Sequence, residues 1–281
     1  MLNGVNMDVI DIIKDSFIFP SKDMKTLLIY VLLSLIAGAF SFIGILVYIL
    51  GFVQPECFMW GGMAIVVSML IGWVMYGYSV SVIKSGIDLS DEVPKFEWWE
   101  NFIIGFDNFI VTIVYFLIPA FITLIVGYMA NIYDNLFIVS REIYLQTHYA
   151  YMGSSSAVAF NTISQALANL VVSLAITLTA ALVVFVIFSF LQTMAEARLA
   201  NTGSLSEALN ILEAAKDIGR IGIGKVIILI ILVIVVTGVV EMVFSALFNI
   251  VPILSILSII VTPYLLFFAQ RAVGLLYSDI A

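Results

Sequence analysis

Glu241 is the first residue to ask about chemistry, because it is the only carboxylate that the sequence places well inside a long apolar stretch. An ionisable group in such a stretch is by default a candidate for binding or proton handling. It stands sixteen residues past Lys225, roughly 24 Å along a helix at 1.5 Å per residue. That depth lets its carboxylate bend towards water, so an interfacial, structural role competes with a functional one. Asn249 is its candidate neighbour across a short turn. A second candidate set is Asn169, Ser173 and Thr177, which follow Gln165 at i+4 spacing and continue to Ala181. One helical face bearing these groups lines a cavity or, as is commoner, packs a neighbouring helix through hydrogen bonds worth about 0.6 kcal/mol each. Ser255, Ser258 and Thr262 form a similar face further on.

Other motifs fail on inspection. The stretch Gly219 to Lys225 (GRIGIGK) matches the first seven positions of a phosphate-binding loop. The eighth must be Ser or Thr to hold Mg²⁺, and here it is Val226. Such a loop also follows a strand, whereas this one follows an amphipathic helix, so a joint with Arg220 and Lys225 snorkelling to headgroups is the better expectation. His148, among Tyr144, Tyr149 and Tyr151, has no second His, Cys or spaced carboxylate to complete a metal site. Cys57 is the sole cysteine, which excludes an internal disulfide. No catalytic triad or carboxylate pair is visible. No catalytic residue, metal or cofactor is therefore expected.

The elements that hold these residues follow from composition. Only 11% of the 281 residues are charged, against about 25% in a soluble domain, and mean hydropathy is +1.18. No Asp, Glu, Lys or Arg interrupts the chain from Thr26 to Pro55, Cys57 to Ile83, Asn108 to Tyr133, Ile143 to Ala195 or Met242 to Gln270. A helix needs roughly 20 apolar residues to cross a hydrocarbon core of about 30 Å. Six spans are expected, at Leu27–Val53, Met59–Ile83, Phe102–Met129, Leu167–Leu191, Val226–Ala246 and Val251–Leu275, with an outer segment over 130–165. The fold class is all-α, a polytopic membrane bundle forming one integral membrane domain over 1–281. Span one is not read as a signal peptide, because Asp8, Asp11 and Asp15 stand where a basic region belongs. The segments between spans are too short to bury cores of their own, so no soluble catalytic domain is expected among them.

Of the eleven Lys and Arg residues, only Arg141 falls on the side opposite the rest. By the positive-inside rule both termini are cytoplasmic and the protein is a multi-pass resident of the cell membrane. A net charge of −8 argues against nucleic acid as a partner and against a polybasic headgroup clamp. Membrane lipids are the expected company, with a membrane-protein partner or a second copy of the chain.

Each cytoplasmic segment reads as a short interfacial helix. Val9, Ile10, Ile12, Ile13 and Phe17 alternate with acids before span one, and Pro20 follows as a turn. Ser90 to Pro94 can start a helical turn, and Phe96, Trp98, Trp99 and Phe102 suit an interfacial aromatic belt. Ser204 to Glu207 has the form of a capping box. It is followed by an apolar face of Leu205, Ala208, Leu209, Leu212 and Ala215 opposite Glu207, Asn210, Glu213 and Asp217. The elbows at Gly86 and Gly203, each followed by Gly105 or Gly222, resemble one another and suggest a weak internal repeat. In the outer segment Ile132, Leu136, Val139 and Ile143 give a helical face, and Gly153 to Ser156 is expected to break it and cap span four. Pro119 and Pro263 interrupt spans three and six. A pairing of Asp107 with Arg271 near the ends of those spans is considered without support.

Several stretches together resemble a known family. They are Asp11 to Pro20 (DIIKDSFIFP) with Asp23, Gly77-Tyr78, Val82 to Lys84, Val93-Pro94, Gly105, Ile113 to Tyr115, Ile118-Pro119 and Met194 to Arg198 (MAEAR). The chain resembles an archaeal family of multi-pass membrane proteins of unknown function. It is similar, more distantly, to the membrane domain that accompanies some glycerophosphodiesterases. The resemblance implies a multi-pass protein of an archaeal plasma membrane and supplies no substrate or catalytic residue. Function stays open between a non-enzymatic protein that organises membrane or binds partners, a small-solute or ion transporter, and a lipid-acting membrane enzyme.

Overall fold

A backbone in hydrocarbon must satisfy its own hydrogen bonds, and this chain does so with helices. The computed structural model describes residues 7–151 and 157–281, with side chains for all of these except 149–151 and 157–162. The fold is all-α. The helices are α1 (Val9–Ile18), α2 (Met24–Leu50), α3 (Glu56–Ile87), α4 (Trp98–Met129), α5 (Ile132–Tyr151), α6 (Ala157–Thr202), α7 (Leu205–Ala208), α8 (Ile211–Ile221), α9 (Ile223–Ile250) and α10 (Ser258–Tyr277), with 3₁₀ turns at Phe19–Lys22 and Pro252–Leu257. Among the described residues six segments are long and apolar enough to cross a membrane: Met24–Leu50, Glu56–Ile87, Trp98–Met129, Ile163–Thr202, Ile223–Ile250 and Pro252–Tyr277. The fourth runs well beyond the expected Leu191, and that extension carries the residues that matter below. The expected break at Gly153 to Ser156 lies outside the described residues.

The chain forms two compact units. One holds the chain up to Thr112 together with Leu191–Ala281; the other is Ile113–Phe190. In the first, α3 is the central element, and glycines let its neighbours approach backbone to backbone. A Cβ on Gly77 would lie 1.7 Å from the Asn101 carbonyl oxygen, and one on Gly105 1.7 Å from that of Trp73, so α3 and the start of α4 touch directly. Gly86 meets Gly274 of α10 in the same way, and Gly61 meets Tyr48 of α2. Between these crossings Phe19, Leu27, Tyr30, Tyr78, Val82 and Phe267 form a buried core. Tyr78 stacks on Phe96 at 4.1 Å and donates to the Pro94 carbonyl at 2.9 Å. That contact draws Phe96 inward, whereas Trp98 and Trp99 stay exposed.

Two arginines lock the end of this unit where the charges gather. Arg271, 1% exposed, donates from Nε to Asp15 (3.1 Å) and from Nη1 to Ser85 Oγ (3.3 Å) and the Ser90 carbonyl (2.7 Å), over the Phe19 ring. The Asp107 pairing considered from sequence is therefore replaced by one with Asp15. Arg198 donates from Nη1 to Asp217 (2.7 Å), from Nη2 to the Glu207 carboxylate (2.6 Å) and from Nε to the Glu207 carbonyl (3.2 Å). Asp217 also accepts from Tyr277 Oη (2.9 Å) and Arg220 (2.8 Å).

These nodes account for several departures from expectation. Ser90 to Pro94 is irregular, because Leu89 turns at φ 52° and presents the Ser90 carbonyl to Arg271. Ser204 does not cap through its side chain, and Glu207 is drawn to Arg198, so no capping box forms. α7 stops after one turn, and Asn210 caps α8 by accepting from the Glu213 amide. On α8 the acid faces the protein and the leucine faces outward: Asp217 is 1% exposed while Leu212 is 74% exposed. Arg220 and Lys225 pair with Asp217 and Asp279, where snorkelling was expected. Gly86 is helical, whereas Gly203 turns at φ 64°, so the two elbows are built differently. Pro20 is buried in a 3₁₀ turn.

In the second unit α5 fills most of the outer segment. Val139 packs with Ala166 and Leu170 against Ile132, while Leu136 and Ile143 remain exposed. Asn135 donates to Ser173 Oγ at 2.7 Å, joining α5 to α6. Pro119 and Pro263 both lie within continuous helices.

Candidate functional site

The charge-free run ends at Ala195, and the next residue, Glu196, is the polar group that the fold turns inward. Around it Met194, Ala195, Ala197 and Leu199 are buried, three of them fully. The small alanines let α6 sit close to its neighbours, and Arg198 pins the end of the helix one half-turn later. Helical i, i+4 spacing then brings Gln192 onto the same face, where its Nε2 donates to Glu196 Oε1 at 2.9 Å. Nε2 also lies 3.4 Å from Thr112 Oγ1 on α4, which fixes the pair against a second helix.

Glu196 faces two cavities. The first, about 320 Å³, lies between α2, α3, α4, α6 and α10 and is lined by Tyr30, Tyr76, Ser79, Asn108, Glu196 and Gln270, with Gly72, Met75 and Leu266. The second, about 210 Å³, lies between α6, α9 and α10 and is lined by Thr193, Glu196, Gln270 and apolar side chains of α9 and α10. Glu196 is surrounded by packed protein yet only half-buried, because these cavities leave part of it open. Asn108 is 3% exposed, and its Oδ1 has no hydrogen-bond partner. An orphaned acceptor of this kind normally costs about 1–3 kcal/mol and calls for a ligand or functional explanation.

The electrostatics are one-sided. Among the described residues no Lys, Arg or His pairs with Glu196, and its neighbour Arg198 is fully committed to Asp217 and Glu207. A carboxyl group, hydroxyl groups and the Asn108 side chain line one half-open space, with the unpartnered Asn108 oxygen buried in its wall. That set of groups is suited to holding a cation or a hydrogen-bond donor in low dielectric. It offers neither a second carboxylate for acid–base exchange nor an activated nucleophile. No group of three or more metal-ligating side chains occurs among the described residues.

The residues singled out from sequence lie elsewhere. Glu241 is exposed on α9. Asn249 is exposed and donates to the Ser245 carbonyl one turn back, so the turn does not bring it to Glu241. Asn169 is exposed, with its carbonyl accepting from Ser173. Ser173 and Thr177 are buried, Ser173 bonded to Asn135 and Thr177 placed against Gly127, which makes this stripe a packing seam in the second unit. His148 lies on α5, stacked on Tyr144. Glu196 itself went unrecognised because the fourth span was ended at Leu191, five residues too soon. Its signal is a carboxylate and an amide, Glu196 and Gln270, each within two residues of a cation that ends a span, with Gln192 one helical turn before Glu196.

Comparison with curated proteins and with solved structures finds no match. A family model described as "Protein of unknown function (DUF4013)" matches residues 60–249, a stretch that includes Asn108 and Glu196. The chain belongs to the DUF4013 family.

Proposed function

We propose that this protein is a non-enzymatic membrane permease that binds a small cationic solute at Glu196. The observation that supports this most is a carboxylate without a cationic partner among the described residues, on the wall of a cavity of about 320 Å³ that Asn108 also lines. An intramembrane carboxylate is costly to keep unless it is used or paired, and here the pair is missing from the protein itself. The charge distribution supports a cell-membrane location with both termini cytoplasmic, which places the Arg198 and Arg271 nodes at the inner face. The archaeal membrane setting and the distant likeness to the glycerophosphodiesterase-associated domain rest on the motifs quoted above.

A second reading, as a membrane-organising or partner-binding protein, is favoured by α1 and α8. Their polar residues serve the arginine nodes, yet Ile10, Ile18 and Leu212 stay exposed, as suits contact with lipid or a partner. A lipid-acting enzyme ranks third, because the cavity offers a single carboxylate and no nucleophile.

Uptake of radiolabelled tetramethylammonium into proteoliposomes tests the first reading. Saturable uptake above that of empty vesicles, reduced at least 10-fold by Glu196→Gln, is expected. Uptake equal to that of empty vesicles, with no saturable binding by calorimetry, would overturn it.

A further inference from the structure

The second cavity and the first share Glu196 and Gln270 as walls. One side of this partition carries Tyr30, Tyr76, Ser79 and Asn108 among Gly72, Met75 and Leu266. The other is lined, apart from Thr193, by Leu229, Ile230, Val233, Ile234, Val273 and their apolar neighbours. The rim of that groove is open: on α9 only Val226 and Leu229 are buried, and Ile234 is 64% exposed. The first space thus carries most of the hydroxyl and amide groups beside Glu196, and the adjoining space is apolar apart from Thr193, Glu196 and Gln270 and continuous with the surface that spans the bilayer.

We infer that the ligand held at Glu196 is a single-chain cationic amphiphile, its ammonium head in the polar cavity and its alkyl chain in the groove between α9 and α10. This rests on the solute-binding reading above and narrows it. Charge complementarity selects the head: a carboxylate without a cation accepts an amine or quaternary ammonium and repels a phosphate. A zwitterionic phospholipid is disfavoured for the same reason. Its phosphate would need a cation nearby, and both Arg198 and Arg271 are already committed to acids. The groove selects for access rather than for strength. A chain among Leu, Ile and Val side chains gains little over one among lipid tails, so affinity comes from the head and entry comes sideways from the bilayer.

The experiment uses the full chain in nanodiscs of zwitterionic lipid with two probes. One is tetramethylammonium, which has a head and no chain; the other is dodecyltrimethylammonium carrying a diazirine at the chain end. Irradiation should label peptides covering Leu229–Ile234 and Ala269–Leu276. Excess tetramethylammonium or Glu196→Gln should reduce that labelling at least 10-fold. Val233→Trp, which fills the groove, should abolish labelling while leaving tetramethylammonium binding intact, with a melting curve confirming that the variant folds. Should that variant fail to fold, the competition arm still decides. Labelling spread along every span and indifferent to tetramethylammonium would overturn the amphiphile while the small-solute reading stands. If tetramethylammonium itself does not bind, both fall.

Discussion

Arg198 and Glu196 stand two positions apart and meet opposite fates. The arginine uses Nε, Nη1 and Nη2 on Asp217 and Glu207, while the glutamate is left to one amide and two cavities. Removing one partner of a buried ion pair strands the other, at a cost of about 3–5 kcal/mol. Asp217→Asn should therefore lower the melting temperature in detergent sharply, and Arg198→Lys should not preserve stability, because an ammonium cannot reproduce the fork. A shift no larger than that of an exposed control such as Asp11→Asn would contradict the node. At the start of α2, Asp23 accepts from the Thr26 hydroxyl and from the Thr26 and Lys25 amides, and these hydrogen bonds, the hydroxyl first, hold its carboxyl below the usual carboxylate range. Asp23→Ala should cost about 1 kcal/mol at neutral pH, as N-cap losses do. A depressed carboxylate stabilises above its unfolded pKa and loses that contribution as pH falls through its folded value. The difference between wild type and variant melting should thus be full at neutral pH and shrink only below about pH 4.

Between elements, glycine contacts decide which helices can touch. Gly77→Ala would place a methyl group 1.7 Å from the Asn101 carbonyl and force α3 from α4, whereas a Cβ on Gly62 meets nothing within 4 Å. The first should destabilise by about 3 kcal/mol or more. The second should be neutral or stabilise by up to about 1 kcal/mol. Equal melting temperatures for the two variants would contradict the packing. The spans were legible in sequence because charge-free runs of this length have one stable outcome in a bilayer. Faces were not. A helix that is apolar all round, such as α9, carries no signal of which side packs, so its sequence leaves Glu241 between a functional and an interfacial role, and it is exposed. On α8 the periodicity separates two faces without saying which of them meets the protein. Asp217 is buried because Arg198, nineteen positions earlier, reaches it, and a local periodicity cannot register a partner that distant.

For the whole molecule, the proposal that both termini face inward rests on the six candidate spans among the described residues and on the distribution of Lys and Arg. On that proposal the hairpin between α2 and α3 faces outward with the sole cysteine, Cys57. A membrane-impermeant maleimide added to intact cells should label the wild-type chain. It should not label Cys57→Ser carrying Ser21→Cys at the opposite end of α2; the reverse pattern would invert the topology. The permease reading requires that a cation claim the space at Glu196. Calorimetric titration of the purified, lipid-reconstituted protein with tetramethylammonium tests that claim most directly. Saturable binding that Glu196→Gln weakens at least 10-fold, while its melting temperature stays within a few degrees of wild type, is the predicted result. Binding of equal strength in wild type and Glu196→Gln, or no binding by either, would contradict it.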